Sequence, residues 1–567
     1  MDNRRLFLWS ALAALLFLNY QAWDHDFAPP APSPIASAAP QSAAPSAEHS
    51  LRDSIPSAGG APSDTPAATS AAAAVTAPTA TEVPSQAALV HVRTDVLDLT
   101  INTAGAEIDE AVLRKYTLSK DKPNEFVHLL STQGADGMAL FQWGVTTGAV
   151  AGAPAPNAIY TAAATDYELK DGDQELNVPL TWTDGAGLAV TRTFHLTRGS
   201  YAIRLEQTVD NAGSAPWKGR PYGQILHHWQ KVDRSMFNPE TYSFKGPAVF
   251  DGKKKTSLDV AKPDADQLPK GPVADGWAAA LQHHFVTALV PPKDAPTEYS
   301  LAVKNGDYRL STLGPWQTLQ PGARATFTDT LWIGPKLQDK LDAVGTKLSL
   351  TVDYGKLTVI AAPLFWLLAS VQKVIGNWGF TIIVVTLLIK LAFYPLAQSS
   401  GRSMARMRNI QPRMKALQER YKDNRDELGK QMMELYKREK VNPLAGCLPT
   451  LIQIPVFMGF YWVLLESVEM RQAPFLLWIQ DLSLRDPYFV LPAIMGATMY
   501  GQFKLNPAPA DPVQAKVFAI MPLIMTGTMA FFPAGLVLYW ITNTGFSILQ
   551  QLRINKVVAA ETQKSRN

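Results

Sequence analysis

Residues 376–396 read GNWGFTIIVVTLLIKLAFYPL, and from Phe380 to Leu396 the pattern is that of a membrane-spanning helix. Lys390 stands inside this run, with Thr386 one turn earlier on the same helix face. A lysine at bilayer depth costs about 2.5–3.5 kcal/mol on insertion scales, so its amine must reach protein or water rather than lipid. Two arrangements achieve that. Lys390 lies about six residues before Leu396 and snorkels to the cytoplasmic interface. Alternatively, it lines a polar cavity within the bilayer and attracts acidic ligands. The rest of the chain has to decide between them.

At 567 residues the chain exceeds one ordinary domain. It divides into a polar first part, about 1–350, and a mostly apolar stretch, 357–553, broken by one charged block. A net charge of +3 argues against general nucleic-acid binding, and no nucleic acid is expected to be read by sequence. The single cysteine, Cys447, permits no intramolecular disulfide and reads as packing. No zinc spacing, P-loop or GxGxxG unit is present, so no metal, cofactor or nucleotide-driven work is expected. At the N-terminus, Arg4 and Arg5 precede an apolar run from Leu6 to Leu18, followed by Tyr20 and Trp23. The nearest small-x-small site, Ala36-Ser37-Ala38, lies well beyond that run, and the aromatics suit an interfacial belt, so residues 1–23 read as an uncleaved anchor.

Residues 24–88 are dominated by Ala, Pro, Ser and Thr and read as a disordered tether. Residues 89–350 alternate apolar and polar positions, as in Leu97, Leu99 and Ile101 or Ile203, Leu205 and Val209, with turn signals such as Asp210-Asn211-Ala212-Gly213. This predicts a large all-β sandwich. Its His195, Glu206, His227, His228, His283 and His284 are the residue types for acid–base work on a sugar, or else ordinary strand residues; no spacing fixes a geometry.

The remainder counts out as an amphipathic interfacial helix at 354–374, then spans at 376–396, 443–466, 487–503, 517–532 and 534–553. With the anchor these make six. The block at 397–442 carries twelve Lys or Arg against six Asp or Glu, whereas the loop at 467–486 is acidic. The basic block, the loop at 504–516 and the tail at 554–567 are therefore expected in the cytoplasm, and residues 24–350 outside. Within the block, Met404, Met407, Ile410, Met414 and Leu417 recur at helical spacing, as do Leu428, Met432 and Leu435. Asp423, Asn424 and Arg425 form a turn-prone tip between them. That describes an antiparallel helical hairpin, either merely self-paired or a docking arm whose methionines adapt to partners.

Lys390 has polar company in the spans: Thr386, Gln453, Thr526, Asn543 and Ser547 among others. Individually these suit helix-to-helix hydrogen bonds; together they fit a wet groove better than a proton relay, which would want carboxylates at depth. A solute transporter or channel is the alternative, but it predicts internal repeats and none is convincing. A membrane-anchored sugar enzyme would not need five polar-lined spans.

The stretches FYPL (393–396), NPLAGCLPTLIQIPVFMGFYWVLLESVEMRQAPF (442–475) and FPAGLVLYWITN (532–543) closely resemble the YidC/Oxa/Alb family of membrane protein insertases. Anchor, tether and β domain resemble its Gram-negative form, in the bacterial inner membrane. The resemblance implies a five-helix core with a lipid-open hydrophilic groove, and an exported domain with the β-supersandwich fold of galactose mutarotases without their activity. It implies membrane protein insertion without chemical catalysis. The implied partners are nascent membrane-protein clients, the Sec translocon, and ribosome or targeting factors at the hairpin. Lys390 matches the family's basic groove residue, usually arginine, and so keeps the charge but not the bidentate fork. Thr386 matches a client-contacting threonine, and Tyr539-Trp540 stands where many relatives have two tyrosines. Lys390, Thr386, Gln453, Tyr539, Trp540 and Asn543 are thus the expected client groove. Met404, Met407, Met414, Asp423, Arg425 and Met432 are the expected docking residues.

Overall fold

The alternation in the first half is realised as strands. In Leu97–Asn102 every second side chain is buried, and in Ala202–Asn211 the buried set is Ile203, Leu205, Gln207, Val209 and Asn211. A computed structural model describes residues 51–54, 87–134, 137–148, 152–230, 241, 243–421, 424–439, 448–505 and 512–564. The expected anchor at 1–23, most of the tether, Asp423 and Cys447 lie outside the described residues. Among those described, the strands form a 10-stranded and a 9-stranded sheet, antiparallel but for the pairing of Leu89–Arg93 with Asp166–Glu168. The sheets share one core, in which Trp143, Trp277 and Trp332 are fully buried. Trp143 Nε1 donates to Asp329 Oδ2 at 2.6 Å, joining strand Gly137–Thr146 to strand Arg324–Pro335 of the other sheet. Burial pushes the Asp329 carboxyl up to about 7 despite that bond.

One correction falls in the tether. Leu51–Ser54 are not disordered: Leu51–Asp53 form a 3-10 turn and Arg52 pairs with Glu107 and Asp109 of the β domain.

The helical half comprises α1 (Thr358–Ile375), α2 (Trp378–Ala392), α3 (Tyr394–Arg420), α4 (Arg425–Arg438), α5 (Leu448–Glu466), α6 (Val490–Leu505), α7 (Pro512–Met529) and α8 (Ala534–Lys564). Local chemistry sets the breaks. Gly376 takes the left-handed conformation (φ 75°) that ends α1, and Asn377 caps α2 by accepting from Phe380 N at 3.1 Å. Pro395 at the start of α3 forbids a continuous helix, and the axis bends by 69° between α2 and α3. Asp486, 1 % exposed, accepts from Trp478 Nε1 and from the backbone N–H groups of Tyr488 and Leu491, ordering the entry to α6. Among the described residues α1 is long and apolar enough to cross a membrane by itself, although an interfacial helix was expected there. The bent α2–α3 pair is a second candidate, and parts of α5 and α7 are shorter apolar helices.

Two differences follow from packing. The first turns of α3 do not project away: Gly401 faces Ile554, and Ala405 packs with Ile554 and Val558 of α8. For the same reason α8 runs on for 31 residues, through most of the expected tail.

The β domain is fastened to the helical half by polar contacts, one of them fully buried. His283 Nε2–H donates to Leu465 O at 2.8 Å, and Ser243 Oγ donates to Glu466 Oε2 at 3.1 Å. Arg471 Nη2 donates to the carbonyls of Thr117 (2.7 Å) and Leu118 (3.0 Å). Lys336, 1 % exposed, donates to His283 O at 2.9 Å, and the nearby Glu466 carboxylate offsets part of the burial that lowers its pKa to about 8. Burial, reinforced by the Lys336 charge, pushes His283 down to about 3.

An unfolded histidine takes up its proton near pH 6.5; His283 in place does so only near 3. Between these values the unfolded chain binds a proton that the folded chain does not. His283 therefore withdraws stability as pH falls below 6.5, by at most about 1.4 kcal/mol per pH unit, and has no effect above it. The thermal midpoint of the full chain in detergent should fall further between pH 7 and 5 than that of His283→Gln, which keeps a donor for Leu465 O. Equal falls would clear His283 of the acid sensitivity.

Candidate functional site

Lys390 occupies the last turn of α2, and the helix directs it toward α8 rather than along its own axis. Its Nζ donates to Ser547 Oγ at 2.8 Å. Ser547 in turn donates to Asn543 O at 2.8 Å, the carbonyl one turn earlier in α8. Among the described residues no carboxylate forms an ion pair with Lys390. The amine is therefore held by a neutral hydroxyl rather than by a counter-ion.

Around it α2, α5 and α8 enclose a small cleft of about 60 Å³. Its walls include Thr386 and Lys390 from α2, Gln453 and Val456 from α5, and Tyr539 and Asn543 from α8. Five of the six residues expected in a groove thus meet at one place. Thr386 is 1 % exposed and donates to Ile382 O at 2.6 Å, so its hydroxyl proton is spent within its own helix and its lone pairs are left for the cleft. Gln453 of α5 and Tyr539 of α8 face the same cleft. The Tyr539 ring stacks on Phe460, centroids 4.5 Å apart. Trp540, the sixth residue, is not in the cleft wall. It points one helix position away, edge-on to Phe457 at 4.9 Å, because adjacent helical residues diverge by about 100°. Ser547 was recognisable only as one polar span residue among many; its place four residues after Asn543, on the same face, was the available signal.

The hairpin residues are arranged differently from a docking surface. Ile410, Met414 and Leu435 are buried between α3 and α4, with Met407, Leu417, Met432 and Tyr436 packed against them. Met407, Met414 and Met432 are thus the seam of the hairpin itself. Met404 is half-buried outside that cluster. The side chain of Arg425, like Asp423, lies outside the described residues.

The histidines considered for sugar chemistry separate. His195 Nδ1–H donates to Asn177 Oδ1 at 2.6 Å, with Glu206 beyond at 3.7 Å. His227, His228, His283 and His284 line a cavity of about 790 Å³ where the β domain meets the 467–486 loop. His283 and His284 stack at 3.8 Å, and both are kept neutral by burial.

With this geometry the chain can be placed. Residues 370–562 match the family described as 60Kd inner membrane protein, and residues 89–367 match the YidC periplasmic domain. The chain belongs to the YidC family. It is 43 % identical over 580 residues to the membrane protein insertase YidC of Thioalkalivibrio sulfidiphilus, covering 100 % of both chains. To the protein of the same name from Nitrosococcus oceani it is 43 % identical over 574 residues, covering 99 % of this chain and 100 % of the relative. Among solved structures, an active YidC insertase with its first transmembrane domain resolved aligns over 82 % of this chain and 94 % of its own, at 16 % identity and a TM-score of 0.37. The family pairs a β-rich periplasmic domain with a helical membrane region, and this chain has both in that order.

If Ser547 solvates the Lys390 charge, Ser547→Ala should destabilise the helical half by about 1–2 kcal/mol, while the same change in a Lys390→Met background should cost little. A double-mutant cycle on unfolding in detergent checks this; simple additivity would mean that the pair is not coupled.

Proposed function

We propose that the chain inserts integral membrane proteins into the bacterial inner membrane through the cleft between α2, α5 and α8. The observation that carries this reading is the Lys390 ammonium, held on a neutral hydroxyl with its charge uncompensated. A cation in a low-dielectric cleft attracts an anion far more strongly than it would in water. Acidic residues in a client's translocating segment are drawn to Lys390, while Thr386, Gln453, Tyr539 and Asn543 supply hydrogen-bond partners to a backbone that has left water. Trp540, with Phe457, offers apolar surface beside the cleft to the client's helix. Burial of about 20 apolar residues in lipid then drives release, at roughly 0.8 kcal/mol per CH₂ group. No bond is made or broken.

In this reading the anchor and five further spans make six crossings, both termini are cytoplasmic, and the β domain is periplasmic. The α3–α4 hairpin, stiffened by its methionine seam, receives clients from the ribosome or targeting factors on its outer faces, where Met433 is exposed. The Sec translocon is a partner for larger clients.

The test uses purified protein in lipid vesicles and a single-span client with an acidic tail, scored by protease protection of the tail. Lys390→Ala should lower protein-dependent insertion about tenfold, equivalent to about 1.4 kcal/mol. Lys390→Arg should retain it, and a client with a neutral tail should respond little to either change. Insertion indifferent to Lys390→Ala would return this residue to a structural role.

A further inference from the structure

Between Arg5 and Arg93 the chain has a single Lys or Arg, Arg52. It lies mid-way along a stretch whose composition specifies no fold, yet it is held on three sides. Arg52 Nε donates to Glu107 Oε1 at 3.0 Å, and its Nη2 bridges Glu107 and Asp109, the latter at 3.0 Å. The backbone on either side is held too. Gln142 Nε2 donates to Arg52 O at 3.1 Å. Arg309 Nη1 donates to Leu51 O at 3.3 Å and Ser54 O at 2.6 Å, and also to Ser54 Oγ.

The receiving surface is built from the β domain. Glu107 and Asp109 share strand Glu107–Ser119, and Asn102 Nδ2 orients Asp109 from the neighbouring strand at 2.9 Å. Gln142, Gln224 and Ser311 stand in register on three adjacent strands and make a polar floor. Gln142 Nε2 donates to the second oxygen of Glu107 at 2.6 Å, and Gln224 supports Gln142 from behind. The side chain of Glu107 is only 4 % exposed. A carboxylate so buried is costly unless a cation meets it, and the cation here comes from the tether. Two oxygens of the floor, Gln224 Oε1 and Ser311 Oγ, are buried without a hydrogen-bond partner among the described residues. The surface thus has recognition capacity beyond what four residues use.

We propose that this acidic pocket is a recognition site for an arginine-bearing peptide, and that its resident ligand is the chain's own Leu51–Ser54, which latches the tether to the β domain. The guanidinium spans two carboxylates while backbone carbonyls on both sides of it are read by Arg309 and Gln142. A lysine, with a point charge and no fork, cannot make the bridging contact in the same way. Seating Arg52 also divides the tether: from Trp23 the chain has about 28 residues to its first fixed point instead of about 64, so its greatest reach falls from about 220 Å to about 100 Å.

Trypsin reads this directly in the full-length protein, because Arg52 is its only target between Arg5 and Arg93. Cleavage after Arg52, identified by the mass of the fragments, should be at least about tenfold slower in the wild type than in Glu107→Gln or Arg309→Ala, the loss expected when charge-assisted hydrogen bonds go. Cleavage of wild type as fast as the variants overturns the latch. A misfolded variant would reveal itself by cuts at Arg93 and Arg114 within the β domain. A second measurement leaves the pocket unaltered: a fluorescent peptide of residues 48–57 should bind full-length Arg52→Ala and not wild type, and its citrulline analogue at position 52 should bind neither. Failure of the peptide to bind Arg52→Ala overturns the recognition site.

Discussion

An ammonium group inside an apolar helix bundle has to be solvated by something, and the helical half of this chain is arranged around how that is done. Among the described residues Lys390 meets no carboxylate; it meets Ser547, whose proton is already committed to Asn543 O. Thr386 commits its own proton to Ile382 O in the same way. Both hydroxyls are thereby left as acceptors: that of Thr386 lines the cleft, and that of Ser547 receives the lysine. For this to work α2 and α8 must approach closely along their length. Gly535 permits this at the far end of the pair, where an added Cβ would stand 3.1 Å from Leu464 and 3.4 Å from Ile382. The bend at Phe393–Pro395 then takes α3 away from the bundle axis, so that the Lys390 side chain is followed by a change of direction rather than by another turn of the same helix.

The junction with the β domain solves a related problem differently. Lys336, His283, Ser243 and Glu466 are all withdrawn from water, but there Lys336 donates to His283 O, His283 to Leu465 O and Ser243 to Glu466 Oε2, and the Glu466 carboxylate lies near enough to the Lys336 amine to favour its charge. Such an arrangement is specific rather than strongly stabilising, because the desolvation of the ions consumes most of their attraction. Its effect is to fix the seat of the β domain on the end of α5 and the loop after it. Val468, from that loop, even joins the core of the β domain.

Periodicity made most of the architecture legible. Alternation of two revealed the strands, and spacing of three and four revealed α3 and α4, because both patterns report a single buried face. The cleft was legible through Lys390, since an ionisable group at depth is conspicuous against Ile, Val and Leu. What stayed hidden depended on partners distant in sequence. Ser547 is one hydroxyl among many until α2 lies beside α8. The hairpin methionines look like an adaptable exposed surface, yet amphipathic spacing cannot say whether an apolar stripe meets a partner protein or the other arm of its own hairpin, and here it meets the other arm. Composition likewise hid Leu51–Ser54, because four residues of contact do not alter the average of a long Ala- and Pro-rich stretch.

Arg52 and Lys390 are partly buried charges met in opposite ways. Arg52 is met by two carboxylates, and its flanking carbonyls are also satisfied, so nothing further is gained by bringing another anion to it. Lys390 is met by one neutral oxygen. Its electrostatic demand is left open, and an approaching carboxylate gains the full interaction without first displacing a resident one. A carboxylate placed permanently beside Lys390 would make the bundle easier to assemble and would remove that gain. The serine is the compromise: enough hydrogen bonding to hold the amine in one direction, and no charge to quench it. A fully paired cation would not attract an anion and an unsolvated one would not release it; Lys390, on a single serine hydroxyl, lies between the two.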